Sequence, residues 1–167
     1  MSINFLKADC KQTTSEKTFG LYDAEDKTPV VIKLTDEKTW IATVFNNSNK
    51  SIDFTAIDNC INVLRENGEM DSRCDCMLTY DTNLFLVELK NKRDSWQSEG
   101  LAQIENIAKR MMEEIPAYYN SFTKRKAVVA NRKNQFPSFH ESNIEQRQLF
   151  ISKYKMRIQF DAEILIK

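Results

Sequence analysis

Arg73-Cys-Asp-Cys-Met-Leu-Thr-Tyr80, then Asp81-Thr82-Asn83, then Leu84-Phe-Leu-Val-Glu-Leu-Lys90: this run decides the reading of the chain. Two stretches rich in apolar and β-branched residues flank a short polar turn, the pattern of a β-hairpin. Side chains alternate across a strand, so Glu88 and Lys90 share one face while Phe85, Val87 and Leu89 share the other and meet the core. If the loop is the even pair Asp81-Thr82, Tyr80 pairs with Asn83 and the register runs on to set Asp75 opposite Glu88, about 4.5–5.5 Å away. Two carboxylates that close repel and raise a pKa, a cost that a hard cation such as magnesium or manganese removes. Such an ion can hold a phosphodiester oxygen and activate water, with Lys90 orienting the water or steadying the transition state.

Outward from the hairpin, Phe54, Ile57, Ile61 and Leu64 recur at three- and four-residue steps. The spacing predicts a helix from Asp53 to about Glu66, capped by Ser51 or Asp53 and ended by Gly68. Asp58 lies beside the apolar stripe and Glu66 well away from it. Because burying an unpartnered acid is costly, Asp58 is preferred to Glu66 as a third carboxylate. After the basic run Lys90-Asn-Lys-Arg93, Asp94 and Gln97 have capping-box spacing. Leu101, Ile104, Ala108, Met111 and Ile115 form the stripe of a long helix that Pro116 should stop. Toward the N-terminus, Thr18 to Asp23, Val30 to Leu34 and Trp40 to Asn46 read as a small antiparallel meander. The C-terminal part offers a strand at Lys126 to Ala130, a helix from Glu141 to Tyr154, and a closing strand pair at Arg157 to Phe160 and Glu163 to Ile166. The mixed order implies one α+β or α/β domain: 1–50 an N-terminal β extension, 51–131 the core, 132–167 a C-terminal helix and strands.

Cys74-Asp75 followed by Glu88-Leu89-Lys90 at the end of an apolar strand, with helices on both sides, resembles the PD-(D/E)xK, or restriction-endonuclease-like, nuclease superfamily across roughly Asp53 to Ala130. The resemblance implies a central mixed sheet flanked by helices. It also implies magnesium, with manganese as an alternative, on Asp75 and Glu88 with Asp58 as third carboxylate, Lys90 assisting hydrolysis, and nucleic acid as substrate, DNA before RNA. A glutamine on the helix after the lysine strand enters the site in several branches, which points to Gln103. Many members dimerise, so a homodimer is compatible. Cys74 stands where the family often has proline. The segment Asn67 to Ser72 leaves little room for the first meander strand, an edge that the N-terminal strands would then supply.

Lysine and arginine (24) balance aspartate and glutamate (24), so no whole-molecule field draws the chain to a polyanion. Phosphate contacts must come from local groups: Lys90, Lys92 and Arg93 with Lys124-Arg125-Lys126 and Arg132-Lys133 can line a groove, and Trp96 can stack on a base or sit in the core. The first residues lack the apolar stretch of a signal peptide and no long uncharged apolar run follows. The expected compartment is therefore the cytoplasm, off the membrane, with Cys10, Cys60, Cys74 and Cys76 reduced. Cys74 and Cys76 alone are poor evidence for zinc, and His140, the single histidine, has no assigned role. Two competing readings are a nuclease fold that has lost turnover and binds nucleic acid or protein, and a partner-binding protein with no nucleic-acid role.

Overall fold

The computed structural model describes residues 2–133 and 142–167; His140 and the start of the expected Glu141 helix lie outside them. Six strands form the main sheet, in the order β1 (Lys11–Thr14), β5 (Ile52–Ala56), β6 (Cys76–Tyr80), β7 (Asn83–Lys90), β8 (Lys124–Asn131) and β9 (Arg157–Phe160). The first four are mutually antiparallel, whereas β8 runs parallel to β7 and β9 parallel to β8. The parallel step from β7 to β8 needs a crossover. Helices α1 (Trp96–Glu114) and α2 (Pro116–Asn120) supply it, and α3 (Ser142–Tyr154) leads into β9. A second sheet holds β10 (Glu163–Leu165), β4 (Ala42–Phe45), β2 (Thr18–Tyr22) and β3 (Val31–Lys33), in that order. The molecule is thus mixed α+β.

Alternation along β7 divides the interior. Leu84 and Leu86 join Ile104, Ile107, Met111, Tyr119 and Phe150 in a core between the main sheet and the helices. Phe85, Val87 and Leu89 join Phe19, Leu21, Val44 and Ile164 in a second core between the two sheets. All three helices therefore cover one face of the main sheet and the smaller sheet covers the other. This corrects the expectation of helices on both sides. With both faces of β7 covered, Glu88 has no route to solvent except at the strand end.

Several local expectations change. The predicted helix at Asp53 to Glu66 is instead strand β5 followed by a loop. Phe54 and Ala56 alternate into the inter-sheet core while the backbone pairs with β1 and β6. The three- and four-residue spacing comes from one tight turn, closed by the Ile61 N–H donating to Ile57 O (2.9 Å), that carries both isoleucines into the helix-side core. Gly68, at φ +84, closes a turn between the bridged residues Leu64 and Met70 and ends no helix. The N-terminal strands are antiparallel, but β2 lies between β3 and β4, so they do not form a simple meander. The Trp40 ring fills the space above Gly20, where any Cβ would collide with it. The closing strands do not pair with each other: β9 edges the main sheet and β10 pairs parallel to β4. Helix α1 begins after Ser95 without a side-chain cap, so Asp94 and Gln97 form no capping box, while Pro116 does separate α1 from α2. Among the described residues no helix is long and apolar enough to cross a membrane.

Cys10 and Cys60 form a disulfide, which corrects the expectation of four reduced thiols; Cys74 and Cys76 are free and buried. The β1–β5 pairing, with Lys11 against Thr55, brings together the two chain ends that carry the bonded pair. Such bonds persist in oxidising compartments, which bears against the cytoplasmic expectation. The bridge closes a loop across a separation of 50 residues. Its reduction is expected to cost about 4 kcal/mol by loop-closure entropy. Urea unfolding with and without reductant measures this, and equal midpoints would contradict it.

Candidate active site

The register of the hairpin is the expected one: Tyr80 pairs with Asn83, and the ladder runs to Cys76 opposite Val87. One step further, Asp75 and Glu88 are locked to each other's strand. The Asp75 N–H donates to Glu88 Oε2 (3.1 Å), and the Leu89 N–H donates to Asp75 Oδ2 (2.7 Å). Asp75 is held from behind as well, since its carbonyl accepts the N–H groups of Ile57 (2.8 Å) and Asp58 (3.3 Å). Both side chains are buried, Asp75 at 6% exposure and Glu88 at 3%.

Lys90 stands on the same face of β7 as Glu88. Its Nζ lies 3.0 Å from Glu88 Oε1 and donates to Gln103 Oε1 at 2.5 Å. Gln103 projects from α1 and its Nε2 donates to the Arg73 carbonyl (3.0 Å), which ties the helix to the strand carrying Asp75. Helix α1 gets this close because of Gly100. A Cβ there would stand 2.5 Å from a Val129 methyl and 3.4 Å from Glu88 Cγ.

Asp58 sits on the loop after β5 and not on a helix. Its Oδ1 lies 2.7 Å from Arg73 Nε, an ion pair without hydrogen-bond alignment, so that the buried Nε finds no true acceptor. Asp58 is near enough for its charge to bear on Asp75 and Glu88. Even so, no three His, Cys, Asp or Glu side chains among the described residues are grouped to hold a metal together. Glu66, the alternative, is exposed.

The expected basic groove divides. Lys92 stays at the acid end of the sheet, paired with Glu99 (2.7 Å), and Arg93 is exposed beside it. Lys124, Arg125 and Lys126 begin β8, level with Asn83, Leu84 and Phe85 at the opposite end of β7. From there to Glu88 is roughly 16 Å of strand. They cannot line one groove with the carboxylates, because a parallel neighbour starts where β7 starts. Trp96 is a core residue, 4% exposed and edge-on to Phe160.

Neither a family model, nor a curated protein, nor a solved structure matches the chain.

Three residues of the site were not read from the sequence. Arg73 joins Asp58 to Gln103. Asn131, 1% exposed, clasps the exit of β7 by accepting the Lys92 N–H (3.2 Å) and donating to the Lys92 carbonyl (2.6 Å). Asp23, after β2, adds its charge to Asp75 from the smaller sheet. A buried asparagine at the end of an apolar strand is a usable signal for Asn131. For Asp23 there is none, since only the packing of two sheets brings it there.

Burial drives the Asp75 carboxyl well above its ordinary range, and the Glu88 charge adds to the effect. Burial likewise pushes Glu88 up to about 7, against the pull of Lys90 and the Asp75 N–H. A carboxyl with a raised folded-state pKa favours the fold while it is protonated. Its contribution is complete below the ordinary value of 4.5 and is lost as pH rises toward 7. Wild-type stability is thus expected to fall across that window in metal-free buffer. Asp75→Asn should flatten the fall and be the more stable protein at pH 8. Thermal melts across the pH range measure this, and parallel curves for the two proteins would contradict it.

Proposed function

We propose that this protein is a metal-dependent phosphodiesterase acting on nucleic acid, DNA before RNA, with the PD-(D/E)xK arrangement and a restriction-endonuclease-like core. One observation carries the reading: two buried carboxylates meet across the ends of β6 and β7, and among the described residues Lys90 is the cation paired with them. Burial keeps the pair protonated beyond the ordinary carboxylate range, and a divalent cation would supply the positive charge that lets both carboxylates ionise beside Lys90. The order β5, β6, β7, α1, β8 supports the core assignment. It supplies an antiparallel meander, a helix and a further strand, and β5 is the first meander strand for which Asn67 to Ser72 left no room.

The donor set suits magnesium or manganese, which are commonly held by one or two carboxylates and complete their shell with water and substrate oxygens. Asp75 and Glu88 would hold the ion. Once bound, it supplies a Lewis acid for the phosphoryl oxygens and a lowered pKa for water. The chain's own residues do the rest. Asp75 is fixed through its carbonyl, which accepts from Ile57 and Asp58, and through Oδ2, which accepts from Leu89. Gln103 holds Lys90 Nζ beside Glu88, where an ammonium can donate to an attacking water or to a phosphate oxygen. Asn131 sets the path of the chain at Lys92, next to Arg93.

Calorimetric titration of magnesium and manganese, with cleavage assays on single- and double-stranded DNA and RNA, tests the reading. Asp75→Asn is expected to lose metal binding and cleavage together. Lys90→Ala should keep the metal while cleavage drops about 10²–10³-fold. A wild-type protein that binds neither ion even with oligonucleotide present would overturn it. The lack of a third grouped ligand among the described residues favours a second reading, a nuclease-fold binding module without turnover. That reading predicts salt-sensitive oligonucleotide binding that survives Glu88→Ala.

A further inference from the structure

The end of the main sheet away from the carboxylates carries a cleft of about 440 Å³ whose charged lining residues are all basic. Lys124, Arg125 and Lys126 reach it from β8, Lys155 and Arg157 from the start of β9, and Lys167 from the last residue; no Asp or Glu lines it. Two of these cations are already engaged. The Arg125 guanidinium donates to the Tyr119 carbonyl and lies over its ring, and Lys155 Nζ donates to the Ser152 carbonyl. Lys124, Lys126, Arg157 and Lys167 meet no carboxylate within ion-pair distance among the described residues.

The arrangement costs the fold something. Lys126 and Arg157 are direct partners in the β8–β9 ladder, and like charges opposite each other on neighbouring strands are destabilising. Lys126 stands over the Phe85 ring. Burial, and then the charges of Lys167, Arg157 and Lys124, push its ammonium pKa down, as expected where cations crowd without counter-charge.

We propose that this cleft binds a compact polyphosphate anion, either a free oligophosphate or the phosphate moiety of a nucleotide. Its volume is that of a small-molecule site. Lysine ammoniums are point charges that follow phosphate oxygens without demanding one planar geometry. Tyr80 and Phe85 are 5% and 2% exposed, so no open ring waits for a base to stack on, and recognition centres on the phosphates. The inference stands on the cleft alone and does not require the carboxylate pair to be catalytic.

Calorimetric titration of the full chain with inorganic phosphate, pyrophosphate, tripolyphosphate and a nucleoside triphosphate, at fixed ionic strength and without divalent metal, tests it. Affinity should rise with phosphate number, and the nucleoside triphosphate should bind about as tightly as tripolyphosphate; tighter binding of the nucleotide would assign the site to nucleotides. Lys124→Gln, Lys126→Gln, Arg157→Gln combined should weaken tripolyphosphate about a hundredfold, while Asp75→Asn leaves it unchanged. If the triple variant does not melt cooperatively, Lys124→Gln with Arg157→Gln replaces it, with at least about a tenfold loss expected. Binding of tripolyphosphate no tighter than sulfate, or unchanged by these substitutions, would overturn the proposal. So would binding of a single-stranded oligonucleotide through the same cations when tripolyphosphate fails, which would make the cleft a nucleic-acid surface.

Discussion

Burying two carboxylates against one ammonium is the constraint around which the rest of the molecule is arranged. Isolated charges do not enter a protein interior unless partners and hydrogen bonds compensate them. Here the compensation is shared between Lys90, the N–H of Asp75 and the N–H of Leu89. The two N–H contacts require strands β6 and β7 to keep one register. That register is enforced by β7 itself, whose alternate residues feed two separate cores, so that a slip of one residue would move every side chain to the wrong core. Gly100 lets α1 press onto the sheet beside Glu88, and Gln103 turns that proximity into a fixed position for Lys90.

Charge is distributed along the sheet to match. Acids collect where β7 ends: Asp75 and Glu88 themselves, with Asp58 and Asp23 close enough to raise the cost of ionising them. Bases collect where β8 begins. Since β7 and β8 are parallel, the buried carboxyls and the cations at the start of β8 sit at opposite ends of one pair of strands. An anionic polymer reaching the carboxylate end would meet Arg93 and Lys92, the latter already paired with Glu99, while Lys124, Lys126 and Arg157 lie at the opposite end.

Much of this was legible from local pattern. The even two-residue turn set the hairpin register and with it the meeting of Asp75 and Glu88. The stripe from Leu101 to Met111 marked α1, and the apolar run in β8 marked a strand. What local pattern could not carry was choice of partner. Phe54, Ile57 and Ile61 have helical spacing, yet they belong to a strand and a turn because β1 and β6 offer the backbone of Ile52–Ala56 a ladder on each side. Helix propensity is a weak prior beside that tertiary pairing. The same limit hid the departure of β10 to the second sheet, the joining of Cys10 to Cys60, and the approach of Asp23, all of which depend on segments distant in sequence.

The most direct test of the central claim, that Asp75 and Glu88 form a pair poised for a divalent cation, is the count of protons released when magnesium binds. Titrations near pH 7 in two buffers of different ionisation enthalpy give that count. The account predicts net proton release that diminishes as pH is raised above 7. Magnesium binding with no proton release near pH 7 would show that the pair is already ionised and free of the burial cost assigned to it, and would contradict the account.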